Sequence, residues 1–440
     1  MWSDAVINKK GVCLENHEIE ILKMVHLHKI ISVSLLNEMY LHYRPNANKK
    51  SISNRLAKLV ERKVLYLKKH ASAFNRISYS YFYVIGEVGM QLLKYINDPL
   101  QPVRTKTYEP NKVRIPNLHN YYAMESIQSL YIQNLKRESP YPFAIKRGAA
   151  HELFGIQTKL VSKQKGSPIV PDYVISLNDK IICFESDMGT ERIQQIKQKE
   201  EMYCRLKQTE AFQNKRVYVV YSVVDEKRNV EAGDNNLLKA RRIHSLKAAH
   251  SPATNWPESL EFFVVTSNEL VEFILEFLLS PNGYPIPIPL KRASLGEIGR
   301  KLTGNYQRLN GWQVDELETG ELLIDKRNTP LLPQATKTVR YRTLRGTVKT
   351  MVYVPGEFGS VRTYQETQTL SKLLTETNNT LFMQEYLPIE MVVGYLRTID
   401  LTKEYFGFTP TLPIRLVNYE DEELRGLELI SAFKKEWKGW

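Results

Sequence analysis

The sequence predicts a mixed α/β protein of several domains, with an α/β centre and an α+β C-terminal part. The chain has 440 residues, more than one typical domain, so we expect it to divide into two to four. Hydrophobic residues make up 42% and charged residues 25%, values typical of a globular protein. Apolar residues recur at helical spacing in some segments and at strand spacing in others, and proline-rich stretches at 97–117 and 281–290 separate them.

The positive charge of the chain is concentrated in its N-terminal quarter. The net charge is +13, and residues 1–115 hold 19 Lys and Arg against 9 Asp and Glu, a net +10. This imbalance favours a polyanionic partner, most simply nucleic acid, although an anionic membrane or solubility are alternatives. No apolar run approaches the ~20 residues of a membrane helix, and the N-terminus lacks the apolar core of a signal peptide. Three cysteines without paired spacing indicate neither disulfides nor structural zinc, so we expect a cytoplasmic protein.

The N-terminal quarter has the element order of a winged helix. Apolar residues spaced by three and four predict three helices, at 17–27, 32–43 and 48–63. Two β-branched and aromatic runs follow, at 64–70 and 77–85, and they predict a hairpin. Three helices followed by a hairpin are the elements of a winged helix. We therefore assign residues 1–96 as a winged-helix DNA-binding domain and 97–117 as a linker.

The third of these helices has a basic exposed face. Its apolar stripe, which includes Ile52, Leu56 and Leu59, must face the core. The remaining arc carries Lys49, Lys50, Ser53, Asn54 and Lys58. Lysine contacts phosphate or guanine and asparagine can read adenine, so this arc suits a major groove. The alternative is a solvated basic helix in a winged helix that binds protein.

The hairpin is expected to support the same DNA contact. Lys68, Lys69 and Arg76 lie near its loop, where they are predicted to hold the flanking DNA backbone. Tyr79, Tyr81 and Tyr83 follow strand spacing, which indicates packing rather than base stacking.

Helices and strands alternate through the rest of the chain. Residues 118–282 carry predicted helices at 118–136, 190–208, 235–249 and 267–280, with strands between 143 and 161, around 170–187, at 216–224 and at 260–266. This pattern predicts an α/β domain with a mixed sheet. The segment 281–290 reads as an extended linker. Residues 291–440 are assigned as an α+β domain of unknown role, with strands within 337–354 and helices near 365–376 and 387–396.

An acidic hairpin is predicted at 170–187, VPDYVISLNDKIICFESD. If Asn178 and Asp179 form a two-residue loop, Asp172 stands opposite Glu185. Like charges in directly opposed positions destabilise a hairpin by up to about 1 kcal/mol, so a compensating charge is expected. Asp187 lies two residues beyond Glu185 and projects from the same strand face, so three carboxylates are expected to converge.

Such an oxygen-only cluster suits Mg²⁺ or Mn²⁺, which prefer carboxylate and water ligands. A bound ion would support phosphodiester cleavage, and Lys197 or Lys199 on the next helix would stabilise developing charge. The alternative is that these acids only mark strand ends. The chain has no phosphate-binding loop, zinc-protease motif or serine-hydrolase elbow, which argues against those enzyme classes.

The same residues resemble the core of PD-(D/E)XK nucleases, a restriction-endonuclease-like fold. The winged helix, Leu118-His119, Pro171-Asp172, the run Glu185 to Thr190, and Lys199 four residues before Tyr203 together resemble the plasmid replication-relaxation family over roughly 15–280. The resemblance implies metal ligands at Asp172, Glu185 and Asp187.

The sequence departs from the nuclease pattern at one position. Asp187 occupies the place where the nuclease superfamily has a lysine. The catalytic cation must then come from Lys199 or Lys197, or the site is inactive. Glu125, on the helix that begins near His119, is a further candidate ligand.

The resemblance implies a DNA-binding protein of plasmid replication, relaxation or mobilisation with a Mg²⁺-dependent nicking domain. Its expected partners are double-stranded DNA at a plasmid origin or transfer region and other replication or relaxation proteins. The alternative is a non-catalytic origin-binding or regulatory protein, in which the nuclease-like domain clamps DNA or recruits partners.

Overall fold

The computed structural model shows the mixed α/β architecture that the sequence predicts. It describes residues 7–9, 12–28, 30–71, 79–96, 110, 113, 118–147, 169–189, 191–224, 235–281, 283–286, 290–291, 293, 296–297, 300, 313–317, 337–342, 348–378, 389–399, 401, 404, 412–418 and 427–428. The chain forms two compact units, the first of residues 1–153 with 170–178 and the second of 154–169 with 179–440. These units are defined by contacts and do not test which segments fold independently. The division into domains at 1–96, 118–282 and 291–440 therefore stays a prediction.

The first unit contains the three predicted N-terminal helices and the hairpin. Its described helices are α1 (Asn16–His28), α2 (Val33–Tyr43), α3 (Lys49–Glu61), α4 (Glu87–Ile96) and α5 (Leu118–Leu135). Its described strands are β1 (Ile7–Lys9), β2 (Val12–Leu14), β3 (Ile31–Ser32), β4 (Leu65–Ala71), β5 (Tyr79–Ile85), β6 (Ala144–Lys146) and β7 (Tyr173–Leu177).

Local hydrogen bonds fix where α2 and α3 begin. Ser32 caps α2, because its hydroxyl accepts a hydrogen bond from the backbone N–H of Leu35. Asn48 caps α3 in the same way, and its side-chain oxygen lies 2.8 Å from the N–H of Ser51. Each cap satisfies a backbone N–H in the first turn of its helix.

The hairpin pairs with β3 in an antiparallel sheet of order β3-β5-β4. Its inner end joins the core, where Leu65 and Ile85 are buried beside Leu56 and Leu59 of α3. Gly86 follows β5 at a close approach, since a Cβ atom there would lie 2.0 Å from the carbonyl oxygen of Lys63.

The second unit contains two sheets and the helices that cover them. Its described helices are α6 (Ile193–Lys207), α7 (Glu210–Gln213), α8 (Asn235–Ala249), α9 (Leu270–Glu272, continued by a π-helical segment Phe273–Leu279) and α10 (Val361–Asn378). Its described strands are β8 (Lys180–Asp187), β9 (Arg216–Val223), β10 (Leu260–Thr266), β11 (Gln313–Leu317), β12 (Lys337–Arg342), β13 (Val348–Gly356), β14 (Ile389–Tyr395), β15 (Ile414–Asn418) and β16 (Leu427–Glu428).

Strands β8, β9 and β10 run parallel to one another, with β9 in the middle. Every residue of β8 and β10 is buried, as expected for parallel strands that are covered on both faces. Helix α8 contacts α6, β9 and β10 and covers this part of the sheet. The covered strand β8 therefore places its acidic residues in the interior of the unit.

One buried carboxylate, that of Glu200, is hydrogen-bonded to several side chains and backbone groups of this unit. Glu200 of α6 accepts hydrogen bonds from the N–H of Ser251 and from the indole N–H of Trp256, and its Oε2 lies 3.1 Å from Nδ1 of His250. Burial alone would raise the pKa of Glu200, but the hydrogen bonds from His250 and Ser251 lower it to about 2. The side chain is therefore ionised in the folded protein.

The other sheet has the strand order β11 to β16. Helix α10 lies where a helix was predicted, but the helix expected near 387–396 is wrong, because Ile389–Tyr395 is strand β14. This strand pairs in parallel with β13 and β15 and is buried along its whole length. A short apolar run rich in β-branched residues has no periodicity that separates a buried strand from a buried helix.

The segment predicted as a linker after residue 280 is packed where the structure describes it. Tyr284 is buried, and its hydroxyl accepts a hydrogen bond from the N–H of Phe358 at 3.0 Å. The N–H of Ile286 donates to Glu357 at 2.8 Å. Residues 283–286 form neither helix nor strand, as predicted, and Tyr284 and Ile286 are buried.

Candidate functional site

The polar arc of α3 lies on the surface of the first unit. Ile52, Leu56 and Leu59 are buried, which confirms the predicted apolar stripe. The five predicted DNA-contacting residues of this helix, Lys49, Lys50, Ser53, Asn54 and Lys58, are exposed. The arc therefore presents three lysines and two uncharged hydrogen-bonding side chains to solvent. Its contact with DNA stays a prediction.

A buried ion pair holds α3 in place. Arg55 donates from Nε and from a terminal guanidinium nitrogen to the two carboxylate oxygens of Glu18, at 2.7 and 2.6 Å. Glu18 is buried and also accepts a hydrogen bond from the hydroxyl of Tyr40 at 2.9 Å. Burial alone would raise the pKa of Glu18, but Arg55 lowers it below its ordinary value. Residues of α1, α2 and α3 thus meet at one carboxylate, which fixes the orientation of the exposed arc.

The predicted DNA contacts of the hairpin are found in different surroundings. Lys69 is exposed, whereas Lys68 is half-buried and donates to the carbonyl oxygen of Val113. Burial lowers the pKa of Lys68. Tyr83 is buried, as packing predicts, but Tyr81 is 45% exposed, so the expectation of packing is wrong for Tyr81. Arg76 and the side chain of Tyr79 lie outside the described residues.

The acidic hairpin has the predicted turn. Strand β7 ends at Leu177 and β8 begins at Lys180, with Asn178 and Asp179 between them. Asn178 has a φ of 54°, which suits a tight hairpin turn. Asp172 belongs to the first unit, whereas Glu185 and Asp187 belong to the second. The opposition of Asp172 and Glu185 therefore stays a prediction.

Asp172 lies beside a histidine in the first unit. His119 Nε2 is 3.0 Å from Asp172 Oδ1. The next residue, Tyr173, is anchored from α1, since its hydroxyl lies 3.0 Å from Nδ1 of the buried His28. Glu125 accepts a hydrogen bond from Tyr121 at 3.1 Å, and burial raises the pKa of Glu125.

Glu185 is held by the two residues of α6 that the sequence pairs at i and i+4. Lys199 Nζ donates to one carboxylate oxygen at 2.8 Å, and the hydroxyl of Tyr203 donates to the other at 2.5 Å. Lys199 also donates to Glu191 at 2.6 Å. Burial would lower the pKa of Lys199, but Glu185 and Glu191 raise it above its ordinary value. Lys199 is therefore a fixed cation, whereas Lys197 is exposed.

Asp187 has a cationic partner that the sequence analysis missed. Arg242 of α8 binds both of its carboxylate oxygens, at 2.7 and 2.6 Å, and the N–H of Gly189 donates to one of them at 3.1 Å. Burial would lower the pKa of Arg242, but Asp187 raises it above its ordinary value. The one signal in the sequence was the basic composition of the helix at 235–249, which does not indicate which arginine faces the sheet.

These contacts form an ion-pair network. The carboxylates of Glu185, Asp187 and Glu191 are bound by Lys199 and Arg242. Within the described part of the chain, no group of three or more His, Cys, Asp or Glu side chains is placed to hold a metal ion. Mg²⁺ and Mn²⁺ need carboxylate oxygens that are open to the ion, and both oxygens of Asp187 face a guanidinium group. Metal binding by Asp172, Glu185 and Asp187 stays a prediction, because Asp172 belongs to the first unit and the other two residues belong to the second.

Comparison with known proteins identifies one family. Residues 22–220 match the family model described as replication-relaxation, a range that begins in α1 and ends in β9. No curated protein and no solved structure gives a significant match. No helix within the described ranges is long and apolar enough to cross a membrane. The matched range contains both α3 and the acids of β8, and it suggests a role related to plasmid replication and relaxation.

Proposed function

We propose that this chain binds duplex DNA through a winged-helix domain over residues 1–96 and acts in plasmid replication or relaxation. The observation that carries the proposal is the exposed arc of α3, which presents three lysines, Ser53 and Asn54. The match to the replication-relaxation family model supports the second part of the proposal, a role in plasmid replication or relaxation.

The physical argument rests on shape and charge. An α-helix fits the major groove of B-form DNA, where asparagine can bind adenine through two hydrogen bonds. Lysines on the same face neutralise phosphates and add affinity that does not depend on sequence. The Glu18–Arg55 pair keeps α3 from rotating on the core, so the arc is presented in one orientation.

The proposal is tested by binding to duplexes that the native chain selects from a random pool. Lys50→Ala and Asn54→Ala are compared with Lys372→Ala, which removes an exposed lysine from α10. We expect Asn54→Ala to cost about 1–3 kcal/mol on the selected site, and Lys50→Ala to weaken binding to all duplexes alike. Native affinity in both α3 variants would place the DNA contact elsewhere.

Metal-dependent nicking is the second candidate, and the contact of Lys199 with Glu185 favours it, because a nuclease needs a cation beside its acid. It would require Asp187 to exchange Arg242 for Mg²⁺ or Mn²⁺. Supercoiled plasmid is incubated with either ion and with the native chain, Asp172→Ala or Glu185→Ala. Nicking by the native chain alone supports catalysis. Nicking by all three proteins, or by none, leaves the non-catalytic proposal standing, in which this region clamps DNA or recruits partners.

A further inference from the structure

A second surface of the first unit combines a cavity with exposed aromatic and apolar side chains. The cavity has a volume of about 440 Å³ and lies where the start of α2 meets the hairpin. The residues that line it include Ser32, Ser34, Leu67, Tyr81 and Tyr83. Leu67 is 41% and Tyr81 45% exposed, unusual for large apolar side chains on a small sheet.

The register of the hairpin places a cation on the same face. Lys69 pairs directly with Tyr81, and Leu67 pairs directly with Tyr83. Side chains alternate along a strand, so these four residues project from one face of the sheet. Lys69 is exposed, and residues directly opposite in an antiparallel pair have Cβ atoms roughly 4.5–5.5 Å apart. Tyr81 therefore lies in the cavity lining, and Lys69 is its direct neighbour on the adjacent strand.

We propose that this cavity takes an unpaired base of single-stranded DNA. Tyr81 supplies the stacking platform, and Lys69 contacts the neighbouring phosphate. The volume lies within the range of small-ligand pockets. Proteins that bind single strands join aromatic platforms to basic surfaces, because every base has a stacking face and every link carries a phosphate.

The positive charge around the cavity favours single-stranded DNA over an apolar peptide as its ligand. The first 115 residues carry a net charge of +10, and the residue opposite Tyr81 is a lysine. Bases inside a duplex are stacked and paired, so they do not enter such a cavity. The site is thus separate from the duplex contact proposed for α3.

The test is fluorescence anisotropy of the full-length chain with a labelled single strand of about 15 nucleotides that contains 2-aminopurine. Tyr81→Ala should weaken binding by about 5- to 150-fold, the equivalent of ~1–3 kcal/mol per stacked base. It should also remove the quenching of 2-aminopurine that stacking produces. Tyr81→Phe keeps the ring and should bind as the native chain does.

Tyr66→Ala is the matched control. Tyr66 is 44% exposed on β4 but projects from the opposite face of the sheet to Leu67. Equal loss in Tyr66→Ala and Tyr81→Ala, or quenching that persists in Tyr81→Ala, would overturn the proposal. So would failure of the native chain to bind the single strand.

Sedimentation of the native chain and Tyr81→Ala tests a different occupant. Self-association that only the native chain shows, with single-strand affinity unchanged by the substitution, would make the face a contact between copies and would also overturn the proposal. Duplex binding by these variants should remain native, so the result is independent of the α3 contact.

Discussion

The ion pair between Arg242 and Asp187 offers a direct test of the network in the second unit. Arg242→Ala removes both hydrogen bonds to the buried Asp187 and leaves only the N–H of Gly189 among its described partners. Arg241→Ala is the matched control, because Arg241 is the neighbouring arginine on α8 and is exposed. The two variants remove the same charge from the same helix.

The expected cost follows from the burial of the pair. Asp187 is 1% exposed, so its charge stays out of water when Arg242 is removed. Removing one partner of a buried ion pair typically costs about 3–5 kcal/mol, because the remaining charge is desolvated without compensation. An exposed side chain such as Arg241 is expected to change the free energy of unfolding by less than about 0.5 kcal/mol.

Urea unfolding at neutral pH measures these free energies, with and without added Mg²⁺. We expect Arg242→Ala to be less stable than Arg241→Ala by about 3 kcal/mol or more, and Mg²⁺ to leave the native chain unchanged. A stabilisation of the native chain by Mg²⁺ that Asp187→Asn abolishes would refute the ion-pair interpretation, because ligands that bind only the folded state raise its stability. Equal stability of the two arginine variants would refute it as well.

Three further predictions concern individual residues. Burial would raise the pKa of Glu200, but hydrogen bonding holds it at about 2 in the folded protein, below the ordinary 4.5. The native chain should therefore lose about 3 kcal/mol of unfolding free energy as pH falls from 4.5 towards 2. The slope of stability against pH over that range should flatten in Glu200→Gln; an unchanged slope would contradict the assignment. Arg55→Ala should lower the free energy of unfolding in urea by about 3 kcal/mol, because it leaves the buried Glu18 without its partner. Arg62 is exposed at the end of α3, so Arg62→Ala should lower it little; equal losses would contradict the stabilising role of the Glu18–Arg55 pair. Cys13 is exposed, so a thiol reagent should show a fast phase that Cys13→Ser abolishes, and persistence of that phase would count against the structure.

Elements with a strong local pattern could be predicted from the sequence. The stripe of Ile52, Leu56 and Leu59 has helical spacing, and Asn48 and Ser32 are suited to helix caps, so α2 and α3 lie close to their predicted positions. The two-residue turn after Leu177 followed from a polar pair between two apolar runs. In each case the information lies within a few residues of the element itself.

Features that depend on distant contacts could not be predicted in this way. Strand β14 was expected to be helical, because its strand character comes from pairing with β13 and β15. Repulsion was expected between Asp172 and Glu185, with a metal ion to compensate it, and the pairing of Asp187 with Arg242, 55 residues later in the chain, was not foreseen. The exposure of Tyr81 likewise depends on what packs against the sheet, which strand spacing does not record.

The salt dependence of duplex affinity tests the central claim most directly. The native chain is compared with a variant in which Lys49, Lys50 and Lys58 are alanine, and with Lys372→Ala. Each phosphate contact contributes about 0.9 to the slope of log affinity against log salt, so loss of three contacts should lower the slope by roughly 3 units while Lys372→Ala leaves it unchanged. Native slope and native affinity in the triple variant would contradict DNA binding by α3.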